Sequence, residues 1–428
     1  MVYTVIVGNI VGYICCPSWE MRRLKRGMCL RVDKHIMAME NRRNILNCII
    51  NEAPINKAAI AKRVGLSVPS VMKTVDGFIE QGLVRSVGKG RSSGGKPPEM
   101  LELISDAHYA VGLDIGRTRL KAVLCDLSGN VVSRMTQPTG NTLPENDLVE
   151  RICILVENLL SDARVERSRL LGVGVGMPGL IDAENGFVIF SPDFSWEGVP
   201  LRDMMEKRLP HHILVENANM AMARGEFMAG AGRGAENVLC VNIGHGIGSG
   251  LIQGTEVYRG SSGTSGEFGH ITVDKDGPLC HCGNTGCLEA LASGEAIARQ
   301  ARNLIASGVR SRILEVAEGD IEQVDAKCVF DAARENDEAA KEIVERATKH
   351  IGTLLAGCVN LLDLDRIVLC GGLTKAGDLF LEPVKQTIKK RRMRFAGRKV
   401  IVCTGGLGDD AVALGATNQI IQQYILGE

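Results

Sequence analysis

The chain reads as an α/β protein built from two unlike parts, and three observations predict this. Helical periodicity followed by a Gly/Ser-rich extended segment fills residues 40–105. Apolar strands then alternate with amphipathic helices to the C terminus. Charge divides at the same place: residues 1–105 hold 16 Lys/Arg and 8 Asp/Glu, the remainder 34 and 42. The formal net charge of zero therefore hides a basic first part, which implies a polyanionic partner. At 428 residues the chain has room for two or three domains. Hydrophobic residues at 45% and charged residues at 23% exclude a disordered or fibrous protein.

The first residues, VYTVIVGNIVGYICC, are apolar and are followed by MRRLKR. The run is too short for a comfortable span, and its positive charge lies after it rather than before. We read residues 1–37 as an extension, disordered or upstream of a start at Met28, Met37 or Met39. A reverse signal anchor is the alternative. No membrane insertion is expected. Eleven of the 14 cysteines are scattered or sit in apolar runs, which suits a reducing, cytoplasmic location.

Residues 38–105 predict three helices and a hairpin. Ile45, Leu46, Ile49 and Ile50 recur at helical spacing. Asn56 caps a second helix, with Ile60 and Val64 inward, that Gly65 ends. Ser67 caps a third, and Pro69 is tolerated in its first turn. Val71, Val75, Phe78 and Ile79 form its apolar stripe, and Gly82 closes it. Two extended runs around the GKGRSSGG loop then make a wing. This is a winged helix-turn-helix, whose third helix enters the major groove of DNA. Ser70, Lys73 and Thr74 face away from the stripe and suit base or phosphate contacts. Arg85, Lys89, Arg91 and Lys96 on the wing can neutralise phosphates. The partner expected here is a double-stranded operator.

Residues 106–428 predict an α/β domain. AVGLDIGRTRLKAVLCDLSGNVV is a hairpin with LSGN as a turn, and LLGVGVGMPGLID, VLCVNIGHGIGSGLIQ and RIVLCGGLT are further strands. Two similar strand–turn signatures, at 111–118 and 240–250, suggest two related halves with a ligand cleft between them. Asp114, Gly116 and Thr118 in the first and Gly244, Gly246 and Gly248 in the second resemble phosphate-cradling loops.

Residues 266–293 carry the sharpest signal, GEFGHITVDKDGPLCHCGNTGCLEALAS. His270, Cys280, Cys282 and Cys287 supply one imidazole and three thiolates, a closed tetrahedral zinc set of structural type. Gly283 and Gly286 ease the wrapping of the 270–287 loop.

These motifs resemble the ROK family of repressors, open reading frames and kinases, from about residue 38 to the end. The resemblance implies an actin-like, ribonuclease H-like sugar-kinase fold of two α/β lobes. It places sugar contacts on Asn217, Glu267, His270 and Glu289. In the family the same histidine can touch both zinc and sugar. The kinases of the family carry a catalytic Asp directly after that Asn. Here the residue is Ala218, so no catalytic residue is expected. Glu216 is adjacent but points the other way along an extended strand. Arg117 and His245 replace the usual Gly and Thr, which puts ATP binding in doubt. Gly371 and Gly372 mark the family's adenosine turn.

The reading that unites these features is a repressor of carbohydrate-metabolism genes, modulated by a sugar in a catalytically inactive kinase-like domain. An active ATP-dependent sugar kinase with a regulatory DNA-binding domain is the alternative. Release by a transport protein instead of a sugar is a third. Operators are read at two half-sites, so a homodimer or dimer of dimers is expected. DFSWEGVPL, from Asp193 to Leu201, is expected to border the sugar pocket.

Overall fold

A computed structural model describes residues 3–7, 10–14, 37–91, 97–140, 144–395 and 399–426. Lys96 and the alternative start Met28 lie outside the described residues. The chain divides into two compact units, one of Met1–Ala107 with Gln422–Glu428, the other of His108–Ile421.

In the first unit β1 (Tyr3–Val7) and β2 (Ile10–Ile14) pair antiparallel. These β-branched runs favour paired strands over the expected disorder. Helix α1 spans 37–52, followed by α2 (Lys57–Val64) and α3 (Val68–Glu80). The caps form as read: Asn56 Oδ1 accepts the Ala59 N–H at 2.9 Å, and Ser67 Oγ accepts the Ser70 N–H at 3.4 Å. Gly65 turns out of α2 with φ +69. Ile45, Leu46, Ile49, Ile60, Val71, Val75 and Phe78 are fully buried together. Burial of each such side chain stabilises the unit by about 2 kcal/mol. Ile79 does not join this stripe and is 39% exposed. At about 100° per residue it stands a quarter-turn past Phe78, outside the arc set by Val71, Val75 and Phe78. The wing is an antiparallel pair, β3 (Val84–Lys89) and β4 (Glu99–Leu103).

The second unit holds two five-stranded sheets of one topology. The first contains the antiparallel meander β5 (Tyr109–Ile115), β6 (Arg119–Asp126) and β7 (Val131–Pro138). After α4 (Glu145–Asp162) comes β8 (Leu170–Met177), parallel to β5. A small sheet of β9 (Leu180–Asp182), β10 (Phe187–Ser191) and β11 (Trp196–Val199) follows, then α5 (Leu201–Glu206). β12 (His212–Asn217) joins β8 in parallel and leads into α6 (Ala218–Ala229).

The second sheet repeats the plan with β13 (Asn237–Ile243), β14 (Ile247–Gln253) and β15 (Glu256–Val257) as the meander. The helices α7 (Leu288–Ala292), α8 (Gly294–Ala306), α9 (Ile313–Val316), α10 (Ala326–Arg334) and α11 (Glu338–Leu362) intervene. β16 (Arg366–Cys370) then runs parallel to β13, α12 (Asp378–Arg391) follows, and β17 (Ile401–Thr404) runs parallel to β16. Each sheet is thus ordered third, second, first, fourth, fifth along its own half. This duplication is the actin-like arrangement, with the signatures at 111–118 and 240–250 in the first hairpin of each half.

The last helix, α13 (Ala411–Leu426), shows why strands β5 and β8 carry glycines. A β-carbon on Gly112 would lie 1.9 Å from Ala413 O, and one on Gly174 would lie 2.1 Å from Ala416 O. Alternate glycines strip one sheet face of side chains so that the helix backbone rests on it.

Candidate metal loop and sugar pocket

The loop between β15 and α7 folds back on itself. The Cys280 N–H donates to Asn284 O at 2.8 Å, and the Gly283 N–H to Cys280 O at 3.0 Å. Gly286 adopts φ +70, and a β-carbon there would lie 1.5 Å from Asp274 O. This tight crossing carries Cys287 back to Cys280 and Cys282. The ligand atoms of His270, Cys280, Cys282 and Cys287 all lie within 4.8 Å of one another. Cys282 Sγ is 3.7 Å from Cys287 Sγ, and Cys280 Sγ is 3.6 Å from His270 Nδ1. Tetrahedral zinc with Zn–S of about 2.3 Å and Zn–N of about 2.05 Å needs edges of about 3.8 Å and about 3.6 Å. The donor set and spacing therefore fit an ion of that size. Burial first, then Cys282 and Cys280, push the Cys287 thiol up to about 12. A divalent cation relieves that proton load.

On the other side of the His270 ring lies a polar focus. His270 Nε2 is 3.8 Å from Glu267 Oε2. Glu289, in the first turn of α7, accepts the Ile247 N–H on Oε2 at 2.7 Å and holds Oε1 3.4 Å from His281 Nδ1. Burial, with the Glu289 charge adding to it, raises the Glu267 carboxyl above its usual range, against His270. Two carboxylates and two imidazoles can together hold vicinal hydroxyls. The structure thus gathers Glu267, His270 and Glu289.

Asn217 has a different local task. It caps α6, accepting the Asn219 and Met220 N–H groups at 2.8 and 3.2 Å, and its amide donates to Gly179 O at 2.8 Å. Both ends of its amide are engaged. Asn219, not marked by the sequence reading, packs on Gly248 and accepts from Asn242 at 3.3 Å. The 246–248 turn therefore meets Asn219 on one side and Glu289 on the other. Ala218 opens α6. Glu216 is buried and paired with Arg259 and with Arg224 at 3.8 Å, so it turns inward. The 193–201 segment forms a turn and β11, with Trp196 buried.

The phosphate-type loops spend backbone donors internally. The Gly116 N–H donates to Arg119 O at 3.0 Å and the Gly244 N–H to Gly246 O at 3.0 Å, while the Ile247 N–H serves Glu289. Thr118 O accepts the Thr139 N–H at 3.1 Å. Burial drives the Asp114 carboxyl up to about 6, against Arg119 and Lys121. An open recess of about 580 Å³ between Ile305 and Asp337 shares none of these residues, and its Asp337 carboxylate caps α11.

In the first unit Ser70 and Lys73 are exposed on α3, and the half-buried Thr74 donates to Ser70 O at 3.3 Å. Lys89 and Arg91 are exposed on the wing. Arg85 is ion-paired with Glu102 at 2.6 Å, so part of its charge is already matched.

A duplicated actin-like body with a Cys/His cluster beside a group of carboxylates and imidazoles is that of a sugar-kinase-like protein, here preceded by a winged helix-turn-helix. Residues 110–423 match the ROK family, and residues 40–85 match winged helix-turn-helix DNA-binding domains. The chain belongs to the ROK family. It is 28% identical over 394 residues to the xylose repressor of Bacillus spizizenii, covering 92% of this chain and 98% of that one. A ROK family transcriptional regulator, homologous to the E. coli MLC protein, superposes with TM-score 0.80 at 24% identity, over 92% of this chain and 97% of that one. A ROK family glucokinase from Streptomyces griseus, in complex with glucose and AMPPNP, superposes with TM-score 0.65 at 32% identity, over 73% and 98%. Among the described residues no helix is long and apolar enough to cross a membrane.

Proposed function

We propose that this protein is a cytoplasmic DNA-binding repressor of carbohydrate-metabolism genes, controlled by a sugar in a kinase-like body that lacks a catalytic base. The observation that carries this reading is Ala218 at the family's base position, in a chain that keeps the Glu267, His270 and Glu289 set. A methyl group accepts no proton, and loss of a positioned base costs on the order of 10²–10⁴-fold in rate. Glu216 is no substitute, being held by arginines.

In this reading residues 38–105 form the operator-binding domain and 106–428 the ROK domain, with 1–37 an extension. Ser70, Lys73 and Thr74 approach bases and phosphates, and Lys89, Arg91 and Lys96 approach phosphates, with Arg85 a weaker contributor. His270, Cys280, Cys282 and Cys287 would hold zinc, which would clamp the loop that presents His270 and Glu289. Glu267, His270 and Glu289 bind sugar hydroxyls, and Asn217 shapes the pocket wall through its cap on α6. A sugar that prefers one arrangement of the lobes shifts the population toward it. The homodimer or dimer of dimers then fits its two half-sites better or worse. The reading is supported by the likeness to the xylose repressor.

The test is an electrophoretic shift on the protein's own promoter region with D-xylose, D-glucose and N-acetylglucosamine added in turn. Sugar-dependent loss or gain of the shift supports the reading, and no DNA binding under any condition overturns it. The likeness to glucokinase keeps a kinase as the second reading. A coupled ATP-consumption assay with the same sugars decides, since turnover well above background means another group replaces the base.

A further inference from the structure

The residue between the first two loop cysteines, His281, has a role that the zinc motif does not give it. Its side chain is 63% exposed, whereas Cys280 and Cys287 on the same loop are buried. Its Nδ1 stands 3.4 Å from Glu289 Oε1. Its ring meets the His270 ring edge-on at 5.5 Å. One nitrogen each of His270 and His281 and one oxygen of Glu289 converge within 4.8 Å.

Glu289 has two unlike oxygens. Oε2 is fixed by the Ile247 N–H at 2.7 Å. Oε1 is enclosed, and among the described residues it has no hydrogen bond. An enclosed carboxylate oxygen without a donor is costly unless a ligand supplies one.

We propose that His281 is a positioning residue that determines specificity in the sugar pocket. It steers Glu289 Oε1, and the pair reads one hydroxyl of a neutral pyranose. This rests on the sugar-binding reading above. A hydroxyl is suited to the slot because it donates to Oε1 and accepts from an imidazole N–H at once. Since the loop is closed by other residues, altering His281 leaves its wrapping intact.

The experiment is calorimetric titration of full-length protein with D-xylose, D-glucose and the monodeoxy analogue series of whichever binds. His281→Ala and His281→Asn are compared with wild type, and zinc content is measured for each. His281→Ala is expected to weaken the parent sugar on the order of tenfold to a hundredfold, the worth of a hydrogen bond to a charged group. Zinc stays at one equivalent. His281→Asn, which keeps a donor, recovers part of the loss. For one deoxy analogue alone, the one lacking the hydroxyl that is read, His281→Ala makes no difference. An equal loss across all analogues, no loss at all, or a fall in zinc content overturns the proposal. So does a second equivalent of zinc that His281→Ala removes while sugar affinity is unchanged, which would make the focus a cation site. Wild-type protein that binds neither sugar, and whose DNA shift responds to none of the three sugars above, overturns the sugar-binding reading itself, and the role of His281 with it.

Discussion

Glu289 Oε2 occupies the space in which residue 246 would carry a side chain. A β-carbon on Gly246 would lie 2.5 Å from that oxygen, which accepts the neighbouring Ile247 N–H at 2.7 Å. A glycine that reads as part of a phosphate loop thus makes room for a carboxylate 43 residues away in sequence. Gly246→Ala should displace Glu289 and weaken sugar binding at least tenfold, with a stability loss of about 1–3 kcal/mol. Gly357→Ala is the contrast: nothing lies within 4 Å of its β-carbon in the middle of α11. That variant should gain about 0.5–1 kcal/mol. Paired urea melts and sugar titrations read both, and equal behaviour of the two would contradict the packing account.

Loss of the proposed zinc should loosen the proposed sugar site. His270 belongs to both the thiol cluster and the polar focus through its two ring nitrogens. Cys280→Ser, or treatment with a chelator, should abolish bound zinc and lower Tm by roughly 5 °C or more. Sugar affinity should fall with it. Retention of full affinity by metal-free protein would separate the two sites.

Glu226 should prove a structural staple. It is fully buried, and its carboxylate accepts the Ala231, Gly406 and Leu407 N–H groups at 2.8, 2.9 and 2.9 Å. These donors come from the turn after α6 and the turn before α13. Glu226→Ala strands them and should cost about 2–4 kcal/mol by denaturant melt. A loss below about 0.5 kcal/mol would show that water takes over all three.

Asp114 should make stability depend on pH. Burial raises its carboxyl from 3.8 to about 6 in the fold. The folded state therefore binds a proton that the unfolded state has already released over that window. Stability is fully present below pH 3.8 and is lost as pH rises toward about 6. Asp114→Asn should accordingly be more stable than wild type at pH 7, by on the order of 3 kcal/mol. The difference should vanish near pH 4. A difference that does not change with pH would remove Asp114 as the cause.

DNA affinity should rank the basic residues by how free their charge is. Lys73→Ala and Arg91→Ala should each weaken DNA binding and lower the slope of log affinity against log salt by about one. Arg85 is paired with Glu102 at 2.6 Å, and Arg85→Ala should change the slope by less. Titrations at several salt concentrations read this directly, and a full unit lost at Arg85 would mean the pair opens on DNA.

The local features were determined by the sequence itself. Asn56 and Ser67 cap α2 and α3 as their residue types demand, because a short side-chain oxygen reaches an N–H only three residues away. The clustering of His270, Cys280, Cys282 and Cys287 was legible for the same reason: they lie within eighteen residues, and Gly283 and Gly286 announce the tight turns. Tertiary packing decided the rest. Asn217 became a helix cap tied to Gly179. The alternate glycines of β8 acquired a reason only when α13 came to lie on them. His281 gained a partner only when α7 placed Glu289 beside it. Such relations depend on how separate elements meet in space, and neither periodicity nor residue type encodes that meeting.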